Sequence, residues 1–442
     1  MNKDYKLSKS IYLKADLILK SPIIIGNGIS EETDMDLLLD SDNNPFIPGS
    51  SLAGAINYEL QNKRGIDEKN LNLLFGRKDV SKKENINSMI YFYDAYLKDS
   101  YLENNSINKT ICIRDGVKLK EDTKTAEDKS KYDFQVLNTG AVFEFKIEIL
   151  LRKNYDYLGD FSKEIIGSIL KIIENGELRL GAKSNRGYGK IGLENIKISQ
   201  FDFDKKEDID KYIDFEWNDM NSDYKEFIKL ADKTKTPYTK IEVPLDIKST
   251  LLIRTYFLSN TDVDSQQITI DKKAVIPGTS WSGMIRHRAL QILKNINENK
   301  ANKMIDYLFG YVNEKNKDEI FSSRIIFDES MDNEQTKLVK IMRTKIDRFT
   351  GGACNTGLFE EKVAVGGSHQ LNIMIKDAKD YEIGLLILVI KDIENGFLAI
   401  GGETNIGRGI FITNKPAYIN KEVIDDKKFK YYVEALSEEL CL

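Results

Sequence analysis

One short run occurs twice in this chain, and it decides how the rest must be read. Phe46-Ile47-Pro48-Gly49-Ser50-Ser51-Leu52-Ala53-Gly54 returns as Val275-Ile276-Pro277-Gly278-Thr279-Ser280-Trp281-Ser282-Gly283. In each copy an extended segment stops at proline, turns at glycine and continues with Ser or Thr placed to cap a helix. The apolar spacing then turns helical, with Leu52, Ile56 and Leu60 in one copy and Trp281, Ile285 and Ala289 in the other. Backbone N–H groups at such a helix start suit an anion, phosphate first of all. Ser50, Ser51, Thr279 and Ser280 are therefore candidate phosphate contacts, and an ordinary capped helix is the alternative.

Other landmarks repeat in the same order. Leu17-Ile-Leu-Lys-Ser21 matches Leu245-Asp-Ile-Lys-Ser249, a shift of 245 − 17 = 228. Leu74-Phe75-Gly76 matches Leu308-Phe309-Gly310, and Phe92-Tyr93-Asp94 approximates Ile326-Phe327-Asp328. Ile173-Glu-Asn-Gly176 matches Ile393-Glu-Asn-Gly396, and a glycine-rich loop follows both. Drifts of a few residues between landmarks are what loop insertions produce. The pattern is a tandem duplication of one domain of about 200 residues rather than a short-period solenoid.

Composition narrows the chemistry. The 442 residues are 41% hydrophobic and 31% charged, the balance of a soluble globular chain. No run is apolar for long enough to cross a bilayer and no signal peptide opens the chain, so a cytoplasmic protein is expected. Cys112, Cys354 and Cys441 are scattered and odd in number, which suggests neither a disulfide framework nor a zinc cluster. With only His287 and His369 present, histidine-based catalysis and histidine-rich metal sites are disfavoured. The net charge of −5 supplies no overall basic footprint. Its distribution is uneven: 202–226 is dense in Asp and Glu, whereas Arg286, Arg288, Arg343, Lys345 and Arg348 gather elsewhere.

Each half spells out the same order of elements. In the first, a strand from Ile11 to Ile25 precedes an acidic segment, Glu31 to Asp42, and the proline turn. A helix from Ser50 to about Lys63, a strand at Met89 to Tyr93, and a long lysine-rich excursion from Ile111 to Val136 follow. A strand from Ala141 to Leu151, a helix stopped at Gly176 and a last strand, Ile191 to Ile198, complete it. That is the βαββαβ order of a ferredoxin-like (RRM-like) domain, an α+β fold. The expected organisation is a first domain over 1–199, an acidic connection over 200–237, a second domain over 238–420 and a helical tail over 421–442.

The Ile-Pro-Gly turn, combined with the late loop Gly181-Ala-Lys183-Ser-Asn185-Arg186-Gly-Tyr-Gly189, resembles the RAMP superfamily, whose members are RNA-binding subunits of CRISPR effector complexes. The resemblance covers roughly 10–198 and 238–415. It is closest to the type III backbone subunits, on two segments: Ile113-Arg114-Asp-Gly-Val117 running to Tyr132-Asp-Phe-Gln-Val136, and Ile346-Asp-Arg348-Phe349-Thr350 running to Leu358-Phe-Glu360. In that family such segments form thumb-like hairpins that wedge into the guide–target duplex, which would give Arg114, Tyr132 and Phe349 that role. A chain with two such modules is similar to the fused subunits of type III-D-like systems.

The resemblance implies guide RNA, target RNA and other effector subunits as partners. It also implies cleavage of target RNA by an Asp in the loop before the proline turn, assisted by a divalent metal, Mg2+ or Mn2+. Asp34 best matches that position and would hold the metal, with Asp36 second; Asp264 is the counterpart in the second half, with Asp262 beside it. A solvated acidic loop is the alternative. In the glycine loop, Lys183, Asn185, Arg186 and Lys190 can follow phosphates together with the backbone. The second loop departs from the pattern: Ile406 stands where Arg186 does and Arg408 is displaced by two. Arg286, Arg288, Arg348 and, from its displaced position, Arg408 complete the candidate RNA contacts, and His369 is expected to be structural. Two other functions compete with a ribonuclease: a binding-only scaffold of the same complex, and a duplicated ferredoxin-like enzyme acting on a small molecule.

Overall fold

The computed structural model describes residues 6–28, 30–76, 86–98, 101, 111–118, 120, 125–218, 220, 224–255, 263–312, 320–333, 336–413 and 415–441. They fall into two compact units. The first comprises Met1–Cys112, Gln135–Ser184 and Tyr188–Pro237; the second comprises Ile113–Phe134, Asn185–Gly187 and Tyr238–Leu442.

In the first unit, β1 (Leu7–Leu19) lies at the centre of an antiparallel sheet. Helix α1 (Gly49–Asn62), β2 (Ile90–Phe92), β3 (Ile111–Gly116), β4 (Tyr132–Leu137), β5 (Val142–Arg152), α2 (Gly159–Glu174) and β6 (Ile191–Asp202) follow. The sheet order is β2-β5-β1-β6; β3 and β4 form a separate hairpin, most of which (Ile113–Phe134) is counted with the second unit. Numbered by their place in the βαββαβ series, the sheet strands run 2-3-1-4, the ferredoxin-like arrangement. Alternation on β1 decides which face is covered: Ile11, Leu13, Ala15, Leu17 and Leu19 join Leu52, Ile56 and Leu60 of α1 and Ile165, Ile169 and Ile173 of α2 in one core. The strand ends at Leu19, earlier than the expected Ile25. There the N–H groups of Lys20 and Ser21 turn to the carbonyl of Lys190, and Pro22 has no N–H to continue the ladder.

The opposite face of this sheet is partly covered by the acidic connection. Tyr12 packs against Phe215 and Trp217 at centroid distances of 4.7 and 5.3 Å, with Phe201 and Met220 in the same cluster. The connection carries short helices at Lys206–Ile213 and Lys225–Leu230.

The second unit repeats the frame. It has β7 (Tyr238–Ile247), α3 (Gly278–Ile296), α4 (Glu298–Phe309) and β8 (Ile325–Phe327). The long strands β9 (Lys337–Ile346) and β10 (Ala353–Val365) come next, then β11 (Ser368–Lys376) and α5 (Asp380–Glu394). The short strands β12 (Phe411–Ile412) and β13 (Tyr418–Ile419) and helix α6 (Asp426–Cys441) end it. The sheet runs β8-β11-β7-β13, with β12 also on β7, which is the 2-3-1-4 order again. The apolar run from Leu385 to Ile390 is the buried face of α5. Among the described residues no helix is long and apolar enough to cross a membrane.

Candidate nucleic-acid interface

The repeated proline turn builds its helix start differently from the expected Ser or Thr cap. In both copies the helix begins at the glycine, Pro48 or Pro277 takes the N-cap position, and no side chain caps the first turn. Ser50, Ser51, Thr279 and Ser280 therefore lie inside that turn. Ser51 and Ser280 direct their N–H groups to the proline carbonyls at 3.0 and 2.9 Å. The N–H of Gly49 donates instead to the carboxylate of Asp94 at 2.7 Å, so a protein anion takes the first N–H of that helix. The glycines are required by close approach: a Cβ on Gly49 would meet the Phe92 carbonyl oxygen at 2.3 Å, and one on Gly278 the Phe327 carbonyl oxygen at 2.4 Å. Asp94 was visible in sequence only as a repeat landmark, and its role appears with the fold.

The acidic loop separates its two best candidates. Asp36 is buried, and its carboxylate accepts from the N–H groups of Glu31, Glu32 and Thr33 and from the Thr33 hydroxyl at 2.7 to 3.1 Å. The Glu31 N–H first of all, with Glu32 and Thr33, lowers its pKa to about 2. Asp36 thus pins the loop from within, while Asp34 stands exposed on it, its carbonyl accepting from the Ser30 hydroxyl. In the second unit the Asp264 carboxylate accepts the N–H of Glu360 at 2.9 Å and the Asp264 N–H returns a bond to the Glu360 carbonyl, tying its loop to β10. Asp262 lies outside the described residues. Among the described residues no three His, Cys, Asp or Glu side chains come together as metal ligands.

The two glycine loops share a backbone, displaced by 401 − 181 = 220. Gly181, Gly187 and Gly189 have φ of 79°, 92° and 76°, and Gly401, Gly407 and Gly409 have 93°, 88° and 72°. Even the non-glycine residue in the left-handed region recurs, Lys183 at 56° and Glu403 at 58°. The side chains do not recur. Arg186 is exposed, Lys183 and Lys190 are half-buried, and the Asn185 amide donates to the Ser323 carbonyl at 3.3 Å. In the second loop Arg408 is buried and paired with Glu361 at 2.6 Å and with Glu403 at 3.1 Å.

The remaining cations divide the same way. Arg286 pairs with Asp306 at 3.3 Å and Arg288 with Asp392 at 2.7 Å, each from a half-buried position on α3. Arg348 is exposed at the end of the β9–β10 hairpin, where Asp347 accepts the N–H groups of Phe349 and Thr350 and fixes the turn. Phe349 is 98% exposed there. On the β3–β4 hairpin, Tyr132 stacks with Phe134 at 5.8 Å, and Arg114 is buried in a two-bond contact with Glu329 at 2.9 and 3.3 Å. His369 is buried on β11 beside Ser330, as its strand position implies.

A family model described as the RAMP superfamily matches residues 16–192 and 244–412, most of both units. The chain belongs to the RAMP superfamily. That membership makes it a CRISPR-associated RNA-binding subunit, with CRISPR RNA and other complex subunits as the typical partners of such proteins. A comparison with curated proteins finds no match. Within the RAMP frame the exposed candidates are Asp34, Arg186, Arg348 and Phe349; Asp36, Arg114 and Arg408 are committed to contacts inside the protein.

Proposed function

We propose that this chain is a guide-RNA-binding backbone subunit of a type III CRISPR ribonucleoprotein, with two RAMP modules fused in one polypeptide. The observation that carries this reading is the pair of hairpins inserted at the same place in two equivalent frames, the second of them presenting Phe349 and Arg348 at its tip. An aromatic ring on a projecting hairpin suits stacking on or between bases, and the neighbouring cation suits the backbone. Arg186, with Lys183 and Lys190 beside it, supplies phosphate contacts without base selectivity. The test is guide-RNA binding over a range of salt. Affinity must fall steeply as salt rises, with little dependence on sequence, and a salt-insensitive affinity would overturn the reading.

Cleavage of complementary target RNA is the second part of the proposal, supported by the exposed Asp34 on a loop that Asp36 holds in place. The Asp34 carboxylate takes the proton of a ribose 2′-hydroxyl as that oxygen attacks the adjacent phosphorus; the bond to the 5′-oxygen breaks and that oxygen takes a proton from water, leaving a cyclic phosphate and a 5′-hydroxyl. Magnesium or manganese, where required, would be bound with RNA oxygens among its ligands. Regularly spaced cuts in a target annealed to the guide, lost in Asp34→Asn, are the expected result. If Asp34→Asn cuts normally, the binding-only scaffold remains.

A further inference from the structure

Five charged side chains of the second unit meet where the β9–β10 hairpin leaves the body of the domain. Glu361 of β10 accepts from Arg343 of β9 at 2.8 Å and from Arg408 of the glycine loop at 2.6 Å, and Arg254 approaches it at 3.8 Å. Glu403, also of the glycine loop, accepts from Arg343 and from Arg254 at 3.1 Å, and its other oxygen lies in ion-pair range of Arg408 at 3.1 Å. Burial pushes the Glu361 carboxyl up; burial acts the same way on Glu403, but its hydrogen bonds and the Arg343 and Arg408 guanidiniums hold it below the usual range.

The placement along the hairpin is informative. Toward its root, β10 is supported by short strands at Thr250–Leu251 and Ser265–Gln267, the latter pairing in parallel with Glu361 and Lys362. Beyond Glu361 toward the tip, β9 is the only strand that pairs with β10 among the described residues. The network therefore sits at the last supported residue, and the Asp264–Glu360 bonds fall one residue further on. In the first copy the residue at the position of Glu403 is Lys183, and Tyr188 occupies that of Arg408. The second loop has an acid where the first has a cation, and this acid draws two arginines inward.

We infer that the second glycine loop is an anchor for the hairpin rather than an RNA contact: Glu361 and Glu403 withdraw Arg343 and Arg408 from phosphate and use them to hold the projecting strands at a fixed angle to the domain. The functional value of the anchor rests on the hairpin's role in RNA binding, but its existence does not, and the two are separable by experiment. Amide hydrogen exchange is measured on the full chain without RNA. Glu403→Gln keeps the shape and removes the charge; amides of 341–348 and 354–360 should then exchange at least about tenfold faster, while those of β7 and β11 stay protected and certify the fold. Glu403→Asp, which keeps the charge, should recover part of the protection, and Arg343→Lys gives a second variant if Glu403→Gln does not fold. Guide-RNA binding over salt supplies the second readout. A phosphate contact at Arg408 requires the slope of log affinity against log salt to drop by about 0.7 in Arg408→Gln. The anchor requires an unchanged slope with faster hairpin exchange. Unchanged exchange in both Glu403→Gln and Arg343→Lys, or the drop in slope, would overturn the inference.

Discussion

The two repeated glycine loops differ in almost everything except their backbone. Lys183 and Arg186 put cations on the first; Glu403 and Ile406 put an acid and an apolar side chain at the same places on the second, with left-handed residues in the same positions. The backbone is held by packing that neither function requires: a Cβ on Gly189 would lie 1.9 Å from the Leu180 carbonyl oxygen, and one on Gly409 1.8 Å from that of Ile400. What the difference teaches is that a duplicated loop can keep its shape for the sake of the core while its chemistry is reassigned. Shape alone is then no guide to which copy touches RNA.

The largest effect that sharpens this contrast is on stability. Removing Arg408 leaves the buried Glu361 carboxylate short of a partner, and the half-buried Glu403 with it, so Arg408→Ala should cost about 3–5 kcal/mol. Arg186→Ala, at an exposed position, should change stability by no more than about 0.5 kcal/mol. Urea denaturation of both variants checks this, and equal costs would erase the distinction between the loops.

A second contrast lies inside the sheets. Phe143 pairs with Leu17 in the first unit, and His369 pairs with Leu245 at the matching place in the second. Burial lowers the His369 pKa from 6.5 to about 4. Between those values the unfolded chain binds more protons than the folded one, so stability falls as pH drops from about 6.5 toward about 4, by about 3 kcal/mol in all. His369→Phe should flatten that limb of the profile, and an unchanged pH dependence would remove His369 as its cause.

Target cutting separates the acidic loops. Asp34→Asn should lower the rate about a hundredfold or more at the cut served by the first unit, the scale of a lost general base, with RNA affinity kept. Asp264→Asn should act mainly through the Glu360 contact and loosen the hairpin. A cut abolished by Asp264→Asn with hairpin exchange unchanged would restore the symmetry of the two halves. The smallest effect is expected at Phe349→Ala: stability unchanged within about 0.5 kcal/mol, because the ring is exposed, and a loss confined to affinity for guide–target duplex.

Much of the architecture was legible because the signals were local and repeated. Helix periodicity after each proline turn, the strand at 142–152 and the buried run at 385–390 all depend on neighbours in sequence. The cap was misjudged because its acceptor, Asp94, is 45 residues away from Gly49. The same limit hid the ion network, whose members span 254 to 408. Arg408 and Arg186 carry the same charge in the sequence, and only the position of Glu361 distinguishes a buried partner from an exposed cation. Asp36 and Asp34 likewise read alike until three N–H groups are found pointing at one of them.

The outer part of the β9–β10 hairpin has a consequence for handling the protein. Met342, Ile346, Leu358 and Phe359 are all exposed along it, where β9 and β10 pair with no further strand among the described residues. An apolar ribbon of this kind is a template for self-association through edge-to-edge pairing when nothing covers it. The isolated chain should therefore precipitate or form ladders of oligomers at concentrations where the assembled particle stays dispersed. Co-expression with RNA and partner subunits would then govern yield more than any single stabilising substitution in the core.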